Sequence, residues 1–111
     1  METTNESTGR IEPMAGHFNG LSPAEDERLA VLLEECGEVI QIIGKIQRHG
    51  YENFNPFDDD KTTNRQLLEK EMGHYGAAMG LLIQNKDVDW KKCNEHDVEK
   101  QESIKQWLHH Q

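Results

Sequence analysis

LAVLLEECGEVIQIIGKIQRHG, residues 29–50, is the stretch on which the fold turns. Its apolar residues recur at intervals of three and four, the period of an amphipathic helix. Placed at about 100° per residue, Leu29, Leu32, Leu33, Cys36, Val39, Ile40, Ile43 and Ile46 cover a sector wider than one neighbouring helix buries. The same helix carries Glu34, Glu35 and Glu38 within about one and a half turns. Glu34 and Glu38 fall within about 40° of each other, and Glu35 about 60° beyond Glu38, at the border of the apolar sector. Positions three and four residues from them hold Ala30, Val31, Leu32, Gly37, Val39, Gln41, Ile42 or another glutamate. No cation of this helix answers the three carboxylates.

Outward from this stretch, the signals are helical. Ser22, Pro23 and Glu25 supply a cap, a first-turn proline and the far end of a capping box, so the first helix is predicted to begin there and to end at Gly50. Residues 51–62, YENFNPFDDDKT, break the periodicity with Pro56 and an acidic run and are predicted to be a loop. Thr63 with Gln66 repeats the capping signal, and a second helix runs to about Ile83. NKDVD is the next break, followed by a shorter, more polar helix whose apolar stations are Val98, Ile104, Trp107 and Leu108. Residues 1–20 are polar and aperiodic, an expected disordered or loosely docked arm with a patch at Ile11, Met14 and Phe18, before a single helical domain over 21–111.

Length and composition agree with this division. The chain has 111 residues, the size of one domain, with 34% hydrophobic residues and no alternating β-branched runs. The expected class is all-α: two long antiparallel helices and a shorter C-terminal helix, completed by formation of a homodimer or homotetramer. The net charge of −9, from 12 Lys plus Arg against 21 Asp plus Glu, with no basic block, argues against binding a nucleic-acid polymer. Cys36 and Cys93 are too few for a disulfide framework, and no apolar opening stretch suits a signal sequence or membrane span. A reducing cytoplasm is the expected compartment.

On the second helix Glu71 falls in the middle of the apolar sector, between Leu67 and Tyr75 and flanked by Leu68, Ala78 and Leu82. Burial of an unpaired carboxylate costs several kcal/mol, so Glu71 needs a proton, a base or a metal. His74 is one turn on and about 60° round. In a hairpin, Glu35, Glu38, Glu71 and His74 converge, and a bound divalent cation answers the carboxylates. The plainer alternatives are a solvated Glu34, a salt bridge from Glu71 to Lys45, Arg48 or Arg65, and a hydrogen-bonded helix histidine at His74.

These residues resemble the signature of the MazG-like all-α nucleoside triphosphate pyrophosphohydrolases, a Glu-x-x-Glu preceded by another Glu, then a Glu-x-x-Asp on the next helix. EECGE supplies Glu34, Glu35 and Glu38, and EMGH supplies Glu71 and His74; the resemblance covers about residues 25–90. It implies a metal-dependent enzyme that releases a nucleoside monophosphate and pyrophosphate. It further implies Glu35, Glu38 and Glu71 as ligands of Mg²⁺, and Glu34 as the carboxylate that orients or deprotonates water. His74 stands where the family has Asp. Imidazole suits Mn²⁺, Zn²⁺ or another transition metal better than Mg²⁺. Three outcomes stay open: a different metal, a site of three carboxylates, or an impaired relative that binds a nucleotide or a protein. A third class, a structural oligomer pairing its carboxylates with cations across subunits, stands beside these.

Lys45 and Arg48, farther along the Glu34/Glu38 face, are the expected phosphate contacts, with ordinary solubilising residues as the alternative. Tyr51, Phe54, Phe57 or Trp90 can stack on a base or anchor a loop. Asp58, Asp59 and Asp60 suit either a cation or the dipole of the next helix. Cys36 faces the apolar sector and reads as core rather than nucleophile.

Overall fold

The computed structural model describes residues 19–111, so the expected patch at Ile11, Met14 and Phe18 lies outside the described residues. Three α-helices follow in order, α1 (Pro23–His49), α2 (Asn64–Gln84) and α3 (Trp90–Ser103), with a 3₁₀ turn at Ile104–Trp107. Among the described residues there is no strand beyond an isolated bridge between Phe54 and Thr63. The all-α class expected from periodicity is what the chain adopts.

Local chemistry sets the helix ends. Ser22 Oγ accepts from the Glu25 N–H at 3.1 Å, and the Glu25 carboxylate accepts from the Ser22 N–H at 2.8 Å, so two orphan donors of α1 are satisfied reciprocally. Gly50 ends α1 at φ 89°, a conformation that costs a residue with a Cβ, while its N–H donates to Ile46 O at 2.7 Å. Thr63 and Gln66 build the same box on α2, at 3.2 and 2.9 Å.

The loop between the helices is tied to the start of α2. The N–H of Asn64 donates to Asn53 O and that of Arg65 to Tyr51 O, both at 2.9 Å, and Asn64 Nδ2 donates to Gly50 O at 3.1 Å. Loop carbonyls thus take up donors that the first turn of α2 leaves open. At the other end of the hairpin Arg28 clamps Asp87, with Nε to Oδ2 at 2.6 Å and NH2 to Oδ1 at 2.8 Å. Two ties at opposite ends fix α1 and α2 as an antiparallel pair and set their register.

The core of this pair is thin. The buried apolar residues are Ile42, Ala78 and Leu82, and no large side chain is fully enclosed among the described residues. Only part of the broad apolar sector of α1 meets α2. Leu33 remains 75% and Ile40 70% exposed, and Met72 of α2, on the same side of the hairpin, 58%. Every residue of α3 except Ser103 is exposed, so the C-terminal helix covers none of this surface. The radius of gyration, 20.6 Å, far exceeds the roughly 13 Å of a compact domain of this length. No described helix is long and apolar enough to cross a membrane.

Candidate metal centre

Antiparallel packing brings Glu35 of α1 against Glu71 and His74 of α2. His74 Nδ1 stands 3.4 Å from Glu71 Oε1 and 3.7 Å from Glu35 Oε1, and one potential ligand atom from each residue lies within 4.8 Å of the others. Two donors bound at right angles about 2.1 Å from one ion stand about 3 Å apart, so small rotations of these side chains bring them to coordinating distance. The i,i+3 spacing of Glu71 and His74 puts both on one side of α2, and the register set by the Arg28–Asp87 clamp places Glu35 opposite. The hydrogen bond to Asp87 raises the pKa of Arg28 and lowers that of Asp87, so both ends of the clamp stay charged.

Glu71 is the unusual member. It is 9% exposed, yet no hydrogen bond from the described residues reaches its carboxylate. Its nearest fixed cation is Lys70 Nζ, at 3.7 Å on a largely exposed side chain. The alternative partners do not take this place. Arg65 donates instead to Glu52 at 2.8 Å and lies over the Tyr51 ring at 4.3 Å, while Lys45 and Arg48 form no ion pair with Glu71. Glu35 is half-buried, and the His74 side chain is 55% exposed, which leaves one side of the trio open to solvent.

The other expected residues divide by position. Glu38, one turn along α1, stands outside the trio and lines a hollow of about 120 Å³ with Glu71, Gln41, Ile42, Lys45 and Leu67. Glu34 is exposed and belongs to neither group. Lys45 and Leu67 also line a larger cavity, about 500 Å³, between the end of α1 and the loop, and Arg48 lines it too. Both expected phosphate contacts therefore border the cavity that adjoins the acidic hollow.

Of the four aromatics, only Phe54 lines that cavity. Tyr51 borders an apolar groove with Cys36, Ile40 and Met72; Phe57 is 91% exposed; Trp90 borders a separate hollow beyond α2. The acidic run makes a turn: Asp58 accepts from the Thr62 and Asp60 N–H groups at 2.9 and 3.1 Å, and these bonds hold its carboxyl below the usual range. Asn64, 6% exposed and part of the cavity wall, was hidden in the sequence because it reads there as part of a capping signal. Comparison with protein-family profiles, with curated proteins and with solved structures finds no match for this chain.

Proposed function

We propose that this chain is a divalent-metal-dependent nucleoside triphosphate pyrophosphohydrolase that converts its substrate and one water to a nucleoside monophosphate and pyrophosphate. The observation that carries this reading is Glu71, a buried carboxylate without a hydrogen bond from the described residues, beside His74 on α2 and facing Glu35 of α1. Such a group is costly unless a cation compensates it. The resemblance of EECGE and EMGH to the MazG-like signature supplies the reaction class.

The donors present, two carboxylate oxygens and an imidazole nitrogen, fit a divalent cation that tolerates nitrogen. Mn²⁺ suits them better than Mg²⁺. When bound, the ion supplies positive charge against the triphosphate. Glu35, Glu71 and His74 hold it. Glu38, outside the trio and half-buried beside it, accepts a proton from the attacking water as the water oxygen bonds to phosphorus and the bridging P–O bond between the α and β phosphates breaks. Glu34, on the rim of the same face, helps orient that water. Lys45 and Arg48 bind the charged oxygens.

A second copy of the chain completes the fold in this reading, covering the face that leaves Leu33, Ile40 and Met72 in water as a homodimer or homotetramer. The free thiols of Cys36 and Cys93 suit a reducing cytoplasm. His74 supports one other reading, a nucleotide- or protein-binding module with little turnover.

The test is pyrophosphate release from a panel of ribo- and deoxyribonucleoside triphosphates with Mg²⁺, Mn²⁺ or no metal, with Glu38→Ala as control. Metal-dependent release that disappears in Glu38→Ala is expected. Release that survives the substitution overturns the catalytic assignment; metal-dependent nucleotide binding without release selects the binding module.

A further inference from the structure

We propose that the 500 Å³ cavity between α1 and the 50–63 loop receives the base and sugar of the nucleotide, so that the substrate lies along α1 with its phosphates directed toward Glu38, Glu35 and Glu71. The inference rests on the pyrophosphohydrolase reading for its ligand class and goes beyond it in assigning the subsite and the direction of binding.

Size and continuity come first. Ligand cavities commonly span about 300–1,000 Å³, and this one falls in that range. It is not isolated: Lys45 and Leu67 border both it and the hollow that contains Glu38 and Glu71. Lys45 comes seven positions after Glu38, about 10 Å along a helix, and Arg48 thirteen positions after Glu35, about 20 Å. An extended nucleotide bridges such a span, with Lys45 placed where the α-phosphate passes from one hollow to the other.

Charge sets the direction. Asp58 lines the loop side of the larger cavity, where its bonds from Thr62 and Asp60 hold its pKa down and keep it ionised, while Lys45 and Arg48 line the side formed by α1. An ionised carboxylate there repels a polyphosphate and tolerates a neutral base. The triphosphate tail therefore leaves the cavity along α1, past Arg48 and Lys45 and away from Asp58, toward the trio that needs a cation.

The walls suit a base. Phe54 offers a ring for stacking. Asn64 is 6% exposed; its Nδ2 donates to Gly50 O, while its Oδ1 accepts no hydrogen bond from the described residues. A buried acceptor without a donor is unfavourable, and an amino or ring N–H group of a base supplies one. The loop that carries Phe54 is already braced: Asn53 Oδ1 accepts from the Phe54 N–H at 2.7 Å, and Asn55 Oδ1 from the Phe57 N–H at 2.9 Å. Little ordering of this wall remains to be done on binding.

The experiment is a metal-free titration of the full chain with nucleoside 5′-monophosphates, followed by amide shifts in ¹H–¹⁵N spectra. Shifts are expected at Phe54, Asn64 and Lys45. Phe54→Ala, and Phe54→Leu as a variant that keeps apolar bulk, are expected to weaken affinity about 5–100-fold, the worth of one stacked base. Mn²⁺ broadening near His74 is expected to be the same in both variants. Shifts elsewhere, no shifts with any monophosphate at millimolar concentration, or unchanged affinity in Phe54→Leu overturns the subsite. The two readings fail separately, because this titration needs neither metal nor turnover. Cavity shifts without pyrophosphate release keep the subsite and reject the reaction. Release whose KM is unmoved by Phe54→Leu keeps the reaction and rejects the subsite.

Discussion

Replacing Glu71 by leucine is expected to stabilise the metal-free protein. The wild-type carboxylate sits at 9% exposure with no hydrogen bond from the described residues, with the His74 ring at 3.4 Å and one loosely placed fixed cation, Lys70, at 3.7 Å. Leaving a buried polar group unsatisfied costs about 1–3 kcal/mol, more for a charge. Leucine, of similar volume, removes that cost and adds apolar contact with α1. Imperfect shape returns up to about 1.5 kcal/mol. The net gain is about 1–2 kcal/mol, and each kcal/mol moves the Tm by about 4–8 °C in a domain of this size. Urea or thermal unfolding in EDTA measures it, at one protein concentration so that association does not enter. Mn²⁺ reverses the order. An ion at a hundred times its Kd stabilises the wild type by about 2.7 kcal/mol, while the leucine variant, lacking a central ligand, gains almost nothing. A Glu71→Leu protein less stable than wild type in EDTA refutes the reasoning. The carboxylate then has a partner within the protein, and the observation that carries the functional reading is lost.

Other substitutions separate the roles of neighbouring residues. His74→Asp, which makes the donor set all-oxygen, is expected to raise Mg²⁺ affinity about 10–100-fold, the range over which changes around a metal site act; calorimetry of metal binding checks it. Glu38→Ala is expected to abolish pyrophosphate release yet keep most of the Mn²⁺-dependent rise in Tm, because Glu38 stands outside the trio. The lowered pKa of Asp87 means that the clamp to Arg28 contributes fully above the unfolded carboxyl value, about 3.9, and is lost as pH falls through the lower folded value. Asp87→Asn is therefore expected to flatten the fall of Tm below about pH 4 and to lower Tm at neutral pH, as a pH series of melts reads directly. Ile40→Asp, on the 70% exposed apolar face, is expected to shift the chain toward monomer in sedimentation equilibrium while leaving its helix content intact.

What the sequence makes legible here is what depends on neighbours along the chain. The caps at Ser22 and Thr63 and the break after Ile83 follow from hydrogen bonds over three or four residues, so pattern alone reaches them. The burial of Glu71 was legible for the same reason, since helical period puts it amid Leu67, Leu68, Tyr75 and Ala78. Which of Glu35 and Glu38 comes within reach of His74 was not. Both lie on the inner half of α1, and only the register between two helices decides which one meets His74. That register depends on Arg28 with Asp87, 59 residues apart, a pairing without local trace. The cavity was equally hidden, because an asparagine in a capping signal looks the same whether its side chain faces solvent or lines a cavity.

The two sides of the hairpin explain why a chain with so thin a core would keep a buried acid. One side is apolar and exposed, from Leu33 and Ile40 to Met72; the other carries Glu38, Lys45 and the loop cavity. Glu35 and Glu71 sit on the seam between them, where a hydrophobic pair would have stabilised α1 against α2 directly. With Ile42, Ala78 and Leu82 as the only buried apolar residues described, that is a substantial concession. Two things restore stability in the proposed state: a cation on the seam and a second copy against the apolar side. They reinforce each other, because covering Ile40 and Met72 stiffens the helices that hold Glu35 and Glu71, and a rigid pair of ligands binds an ion at lower entropic cost. Metal affinity should then fall in Ile40→Asp although that side chain touches no ligand, and equal affinity in monomer and oligomer would break the link.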